Sequence, residues 1–362
     1  MSRCFGQAIA ALALFGSVVA CATEDTGARR IDQASGSPLT ARRGAVIVDG
    51  CALDSFQSAA LATPSAKKVL GEVVLLCAVP RFDGTVEPGD PSALAALAAL
   101  VDGLGKEGYS ARIGVSFTDE TGARYDGGQT AALLADASFR ARVVAALRAF
   151  LTASHASGLE LDFQALPSSA RADLTSFVGA LSSAVRPAAR LVFLAPPSVS
   201  EPSDVAGGDA VDLGAIAPLV DRVRVMTVDF SCCGSSPGPT IDSGWAVDAV
   251  RFATGRGASA VDVAFPLFGV DFGPAGQRQV SWLEATALAA EHGQSIGRGP
   301  TGAPFFSYQG SDGPHTLWFD DAVSTIDTLD AWSVLPPDVG VVYFGLGSED
   351  PSLWDEIARR LP

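Results

Sequence analysis

The chain has 362 residues, of which 48% are hydrophobic, so a sizeable core can be buried. Its formal net charge of −15 at pH 7 argues against nucleic-acid binding, because the phosphates would be repelled. An acidic surface is neutral evidence for an uncharged saccharide ligand and mildly unfavourable for a strongly anionic polymer.

The first twenty residues are predicted to be a targeting segment. Arg3 gives a positively charged start, and the apolar run from Ala8 to Val19 is too short to span a bilayer. The sequence Val18-Val19-Ala20-Cys21 resembles a bacterial lipobox, which implies cleavage before Cys21 and lipidation of that cysteine. An exported lipoprotein of the cell envelope, anchored to a membrane and either periplasmic or at the surface, is therefore expected. A plain secretory signal with a chance cysteine is the alternative.

Residues 21–40 are polar and lack periodicity, which predicts a flexible tether. From residue 41 to 362, apolar runs alternate with helical patterns, which favours βα units and one parallel sheet. Helices are predicted at 90–103, 138–153 and 168–185. Eight strands are predicted, and they indicate an α/β fold, the (β/α)8 TIM barrel. These strands lie near 44–49, 72–79, 111–117, 158–163, 190–195, 222–229, 260–266 and 339–344.

The connection between the seventh and eighth strands, residues 271–331, is too long for one helix. Its middle, from Gly297 to Gly313, is rich in glycine and proline and contains Phe305-Phe306-Ser307-Tyr308. This composition predicts a small inserted α/β or β-hairpin lobe, with a decorated loop as an equal alternative.

The cysteines that would remain after removal of the signal and lipidation are Cys51, Cys77, Cys232 and Cys233. Cys51 ends the first predicted strand and Cys77 lies in its neighbour, so a disulfide between them is predicted. Cys232 and Cys233 are adjacent and are expected to be bonded to each other or free. Three scattered histidines and the lack of a Cys-x-x-Cys sequence predict neither a metal site nor a cofactor.

The segment from Gly158 to Gln164 is the most informative part of the chain. Its alternation places Glu160, Asp162 and Gln164 on one face of a strand. Three polar groups on an inward face are costly unless they serve a site. An ordinary buried strand with a few polar residues is the alternative.

This segment resembles the signature strand of glycoside hydrolase family 18, Asp-Gly-x-Asp-x-Asp-x-Glu, whose final glutamate is the proton donor. Here Gly158 and Asp162 match, while Ser157, Glu160 and Gln164 stand at the positions of Asp, Asp and Glu. An amide cannot donate the proton that a carboxylic acid donates.

Four further segments resemble motifs of the same family in the same order. Residues 225–230 are similar to its Met-Thr-Tyr-Asp sequence, with Met226 retained and Val228 in place of the tyrosine. Residues 264–271 resemble Gly-Ile-Pro-Leu-Tyr-Gly, and residues 315–321 resemble the His-x-x-Trp-Phe-Glu-Asp of spore-cortex and envelope glycosylases. Residues 340–350 resemble Gly-Val-Ala-Leu-Trp-Arg-Leu-Gly-x-Glu-Asp, with Phe344 at the tryptophan. The resemblance covers roughly residues 41 to 361.

The resemblance implies a site at the C-terminal ends of the barrel strands, where the substrate's own N-acetyl group acts as the nucleophile. Gln164 would occupy the degenerate proton-donor position, beside Asp162 and Glu160. The predicted substrate-binding residues are Met226, Val228, Asp229, Phe230, Phe344, Phe82, Phe117 and Phe268. Each phenylalanine in this set could instead be a packing residue.

Because the proton donor, the tyrosine and the tryptophan are all changed, the sequence favours a cleft that holds an N-acetylated saccharide without cutting it. One alternative is an active glycosidase on peptidoglycan or chitin-like polymers that uses a displaced acid, such as Glu349 or an aspartate of the cleft. The other alternative is an envelope scaffold for protein contacts.

Overall fold

The structure is a computed structural model, which describes residues 43–118, 125–232 and 235–361. The predicted signal, the lipidation site at Cys21, the tether and Cys233 lie outside the described residues. Within the described part of the chain, no helix is long and apolar enough to cross a membrane.

Eight parallel strands form a closed barrel. The strands are β1 (Gly44–Asp49), β2 (Leu70–Pro80), β4 (Ser110–Ser116), β5 (Gly158–Asp162), β6 (Arg190–Ala195), β7 (Arg222–Val225), β8 (Val261–Pro266) and β14 (Gly340–Phe344). β1 pairs with β2 on one side and with β14 on the other, which closes the ring in the order β1-β2-β4-β5-β6-β7-β8-β14. The predicted (β/α)8 TIM barrel is therefore confirmed. A short strand, β3 (Val86–Glu87), pairs antiparallel with β2.

Most helices of the outer layer begin with an aspartate cap. Asp90, Asp126, Asp136 and Asp242 each accept hydrogen bonds from backbone N–H groups of the first turn. Many of the acidic side chains therefore fix helix starts. The helices are α1 (Ser55–Ala62), α2 (Pro64–Val69), α3 (Pro91–Lys106), α4 (Gly127–Ala135), α5 (Ala137–Ala153), α6 (Arg171–Val185), α7 (Leu213–Ile216), α8 (Ser243–Gly255), α9 (Trp282–Glu291), α10 (Ala322–Ala331) and α11 (Leu353–Arg360), with 3-10 turns at Ser168–Ala170, Gly208–Ala210, Ala217–Leu219 and Trp332–Val334.

The predicted lobe between the seventh and eighth barrel strands is present as a five-stranded antiparallel sheet with one helix, α9. The lobe strands are β9 (Gly269–Gly273), β10 (Gly276–Val280), β11 (Gly297–Arg298), β12 (Pro304–Gln309) and β13 (Pro314–Trp318). Their order in the sheet is β10-β9-β13-β12-β11. The predicted range of the lobe ran to residue 331, but α10 packs in the main barrel core through Ile326 and Leu329.

The barrel interior contains a network of buried charges. The Arg224 guanidinium, which has no solvent exposure, contacts Glu160 at 2.7 Å, Glu72 at 2.6 Å and Asp262 at 3.1 Å. Arg112 pairs with Glu72 at 2.8 Å. These pairs join five barrel strands, β2, β4, β5, β7 and β8, and each charge has an opposite charge beside it, as a buried ion requires.

Candidate functional site

A buried carboxyl group, Asp162, lies at the mouth of the barrel, the end formed by the C-terminal ends of the strands. It is the last residue of β5 and only 4% exposed. The Tyr125 hydroxyl donates to its Oδ2 at 2.7 Å, and the Gln164 Nε2 lies 3.2 Å from Oδ1 and 3.4 Å from Oδ2. Burial raises the pKa of Asp162 to about 6, against the hydrogen bonds that favour its ionised form.

Tyr125 is a site residue that the sequence analysis missed. It follows β4 and directly precedes Asp126, the cap of α4, so the topology alone places it at the mouth. Its hydroxyl also lies 3.2 Å from the Ser116 Oγ at the end of β4. The aspartate cap was a usable signal for a helix start, but nothing in the sequence links this tyrosine to Asp162.

Glu160 does not belong to the mouth, which corrects the prediction that it is a site residue. Its side chain has no solvent exposure and pairs with Arg224 inside the barrel. The physical reason is depth: Glu160 lies two residues before Asp162 on the same face of β5, so it faces the barrel interior, where the arginine stabilises its charge.

Close backbone packing fixes the loop that carries Gln164. Ala165, the next residue, has a left-handed φ of 52°. A Cβ on Gly127 would lie 1.9 Å from the Ala165 carbonyl oxygen, and one on Gly207 would lie 3.0 Å from its nitrogen. Only glycine allows these approaches, so the starts of two neighbouring segments hold the Gln164 loop in place.

The segment after β7 contributes two residues of an apolar cluster and two exposed residues to the mouth. Val228 is 3% exposed and packs in an apolar cluster with Ala264, Phe268 and Val342, so it offers no polar group. Met226 and Phe344 are half-buried against the same cluster. Asp229 and Phe230 are exposed.

Partial loss of hydration raises the pKa of Asp229 to about 6, although the residue is exposed at the surface of the mouth. Water reaches this carboxylate and screens its charge, so Asp229 is an ionisable group in contact with solvent.

The predicted aromatic residues divide between the mouth and the core. Phe344 is half-buried beside the mouth and contacts Phe268 edge to face at 6.2 Å. Phe268 itself is only 4% exposed and packs in the apolar cluster with Val228, which corrects its prediction as a substrate-binding residue. Phe82 is half-buried in the turn after β2. Phe117 corrects the prediction, since it is 4% exposed and stacks on Phe163 at 4.3 Å in the main core.

An exposed aromatic pair lies at the start of α8. The rings of Phe230 and Trp245 are 5.3 Å apart, and Phe230 is 43% exposed while Trp245 is half-buried. Trp245 was not predicted as a site residue, because its helical spacing gives no sign that it meets Phe230. Aromatic faces next to the exposed Asp229 suit contact with a sugar ring.

Both carboxylate oxygens of Glu349 accept hydrogen bonds from neighbouring residues of the chain. Its Oε2 accepts from the Gly347 N–H at 2.6 Å, and its Oε1 accepts from the Trp354 indole at 2.9 Å. Burial raises the pKa of this carboxyl group, and both oxygens are held by the chain itself. This arrangement does not support Glu349 as a displaced acid.

The predicted pairing of Cys51 with Cys77 is wrong. Cys51 and Cys77 are both free thiols, with the Cys51 Sγ 3.7 Å from the Cys77 carbonyl oxygen, so the predicted disulfide is not formed. Cys77 has no partner residue in the register between β2 and β4. This β-bulge changes the direction of the Cys77 side chain. Cys232 is disulfide-bonded. Among the described residues, no group of three or more metal-ligating side chains is assembled.

Comparison with known proteins agrees with this architecture. No family model matches the chain. A curated relative, "Uncharacterized glycosylase YvbX" of Bacillus subtilis (strain 168), is 23% identical over 211 residues, which are 56% of this chain and 60% of the relative. The matched part thus spans less than two thirds of that relative.

Several solved structures share the fold. The Bacillus cereus spore cortex-lytic enzyme SleL superposes with a TM-score of 0.75 and 18% identity, over 90% of this chain and 76% of that chain. The chitinase from Chromobacterium violaceum ATCC 12472 has a TM-score of 0.73 and 24% identity, over 87% and 98%. An Ostrinia furnacalis Group II chitinase domain, in complex with penta-N-acetylchitooctaose, has a TM-score of 0.65 and 16% identity, over 87% and 95%. The barrel that the motifs predicted by resemblance is therefore the barrel of chitinases and spore cortex-lytic enzymes.

Proposed function

We propose that this chain, which has the barrel of chitinases and spore cortex-lytic enzymes, is a carbohydrate-binding protein whose cleft has lost hydrolytic activity. Its ligand would be a glycan that contains N-acetylglucosamine. The observation that carries the proposal is the contact between Gln164 and Asp162. An amide occupies the position that the motif gives to the proton donor, and it donates to the adjacent carboxylate.

The chemistry of the mouth supports binding without cleavage. A general acid typically contributes about 10²- to 10⁴-fold in rate, and an amide cannot supply that proton. Val228 is buried in an apolar cluster, so no hydroxyl takes the place of the motif's tyrosine. Asp162, Asp229 and the aromatic pair of Phe230 and Trp245 still offer polar and stacking contacts to a sugar.

The choice of N-acetylated sugars rests on two lines of support. The motif resemblance implies a cleft for such sugars, and one structural neighbour was solved with an N-acetylated chitooligosaccharide. The acidic surface is compatible with an uncharged saccharide.

The test is a binding titration with tetra-N-acetylchitotetraose, combined with chromatography of the products. We expect quenching of tryptophan fluorescence without product release. Trp245→Ala and Phe230→Ala should each weaken binding about tenfold, because they remove a stacking face. Phe56→Ala is the matched control, since Phe56 is 66% exposed but lies on α1, which follows β1, a strand that does not adjoin β7 in the barrel. Failure of the wild-type protein to bind N-acetylated oligosaccharides would exclude this function.

A second candidate is hydrolysis with Asp229 as the acid. The observation that favours it is the exposed Asp229 carboxyl group at the mouth, next to the aromatic pair of Phe230 and Trp245. Release of shorter oligosaccharides by the wild-type protein, abolished in Asp229→Asn, would establish it. A scaffold for protein contacts would instead show no glycan binding and co-purifying protein partners.

The proposed location is the bacterial cell envelope, with the chain tethered through a lipid on Cys21. The support is the lipobox-like sequence after a short apolar run. Labelled fatty acid should enter the wild-type protein, and Cys21→Ala should abolish both the label and membrane fractionation. A Cys21→Ala protein that is processed normally and stays in the membrane fraction would contradict the tether.

A further inference from the structure

Side chains from two neighbouring loops form a hydrogen-bonded relay at the mouth. It runs from Tyr125 to Asp162 and on to Gln164, with contacts of 2.7 Å and 3.2 Å. An ionised carboxylate only accepts hydrogen bonds, so both neighbours must direct a hydrogen at Asp162. The phenol has one hydroxyl hydrogen, and it donates this hydrogen bond to Asp162.

This relay fixes which way the Gln164 amide faces. Its nitrogen lies within 3.4 Å of both Asp162 oxygens, and the opposite orientation would set two acceptors against each other. The Gln164 carbonyl oxygen is therefore turned away from Asp162, in a half-buried side chain at the mouth. A carbonyl oxygen accepts hydrogen bonds, so its complement on a ligand is a hydroxyl or an amide N–H. A glycosidic oxygen, which carries no hydrogen, does not match it.

Among the described side chains, Glu160, two residues earlier on the strand, is paired with Arg224 and not with Asp162. Burial and the adjacent Asp162 carboxylate, with a smaller contribution from Asp49, raise the pKa of the Tyr125 phenol, which keeps the hydroxyl protonated as a donor. The contact between Gly127 and Ala165 locks the two loops of the relay together.

We propose that Tyr125 is a positioning residue: it holds Asp162, and through it Gln164, so that the Gln164 carbonyl oxygen accepts a hydrogen bond from a hydroxyl or acetamido N–H of a bound saccharide. This inference rests on the proposed function and adds which group of the sugar the Gln164 carbonyl oxygen binds. It also assigns a role to a residue outside the motif.

The test compares two tyrosine-to-phenylalanine variants of the whole chain, purified in mild detergent. Tetra-N-acetylchitotetraose is titrated by calorimetry between pH 5 and 8. Tyr125→Phe should raise Kd about tenfold, the effect of one hydrogen bond to a charged group. It should also move the pH midpoint of binding upwards, because the phenol favours the ionised form of Asp162. Tyr109→Phe is the matched control. The buried Tyr109 hydroxyl donates to the Leu61 carbonyl at 2.7 Å. Tyr109 directly precedes β4, so it lies at the opposite end of the barrel from the mouth. This variant should leave Kd and the midpoint unchanged.

Each outcome is decisive. Wild-type affinity and an unmoved pH midpoint in Tyr125→Phe overturn the relay and leave the proposed function standing. No binding by the wild-type protein overturns both. If Tyr125→Phe does not fold, Asp162→Asn replaces it, because asparagine puts an NH2 donor in place of one acceptor oxygen and has no carboxyl group that titrates. That variant should bind more weakly and lose the pH midpoint, and unchanged binding would reject the relay.

Discussion

Glu160 and Arg224 form an ion pair of 2.7 Å in the interior of the barrel, and neither side chain reaches solvent. Glu160 stands at a position where the family motif has an aspartate. Instead of joining Asp162 at the mouth, it belongs to the network that ties β5 to β7. One polar strand face therefore serves two purposes, an interior ion pair and, two residues later, a site.

Breaking this pair should destabilise the protein. Glu160→Ala leaves the Arg224 charge buried with fewer partners, and we expect the free energy of unfolding to fall by about 3 kcal/mol. Urea denaturation measures this. Asp248→Ala, which removes an exposed partner of Arg251, is the control and should show no measurable change. Equal stability of Glu160→Ala and wild type would mean that the interior network relaxes around the loss.

Restoring the acid alone should recover little hydrolysis. Gln164→Glu would supply a proton donor, but Val228 and Phe344 would remain unable to support the transition state. Combining it with Val228→Tyr and Phe344→Trp should give more activity than the single changes summed, because such residues act as a unit. Val228 is buried, so the added tyrosine is also expected to lower stability by roughly 1–3 kcal/mol.

Product chromatography with tetra-N-acetylchitotetraose gives the readout for these variants. Asp162→Ala should weaken binding in every background, since it removes the carboxyl group that orients Gln164. Hydrolysis by the wild-type protein at a rate unaffected by Gln164→Ala would show that the proton comes from elsewhere.

Asp320 should make stability depend on pH. Burial raises its pKa to about 6, while Ser324 and Thr240 donate hydrogen bonds to it. A raised carboxyl pKa gives stability that is complete below the unfolded value and is lost as pH rises through 6. The stability difference between wild type and Asp320→Asn should therefore fall between about pH 4 and 6, by roughly 1.4 kcal/mol per pH unit.

The control for this prediction is Asp136, whose contribution to stability should depend on pH in the opposite direction. Hydrogen bonds from Ser138 lower the pKa of Asp136, so its contribution is present above the unfolded value and is lost on acidification. In urea denaturation measured across about pH 2–8, the difference from wild type for Asp320→Asn should change between about pH 4 and 6, and that for Asp136→Asn should change in the opposite direction and only below about pH 4. A flat difference for Asp320→Asn would mean that its carboxyl group is hydrated.

Cys51 should react with alkylating reagents faster than Cys77. Hydrogen bonding with Cys77 lowers the pKa of Cys51, whereas the same contact and deeper burial raise the pKa of Cys77. Thiolate fraction and access govern alkylation. Timed iodoacetamide labelling at pH 8 with peptide mapping measures both rates. Equal rates, or recovery of a Cys51–Cys77 disulfide from untreated protein, would contradict the free pair.

Hydrophobic periodicity and capping aspartates are local signals, so the eight barrel strands could be predicted from the sequence, whereas the residues inserted before the eighth strand fitted a lobe and a decorated loop equally well. Strand alternation placed Asp162 and Gln164 on one face, although β5 ends at Asp162 and the packed loop after it brings Gln164 into contact. The pairing of Glu160 with Arg224, the packing of Phe117 in the core, and the places of Tyr125 and Trp245 at the mouth came from the tertiary structure alone. Those contacts join residues distant in the chain, and their partners depend on how the loops pack, which no local pattern records.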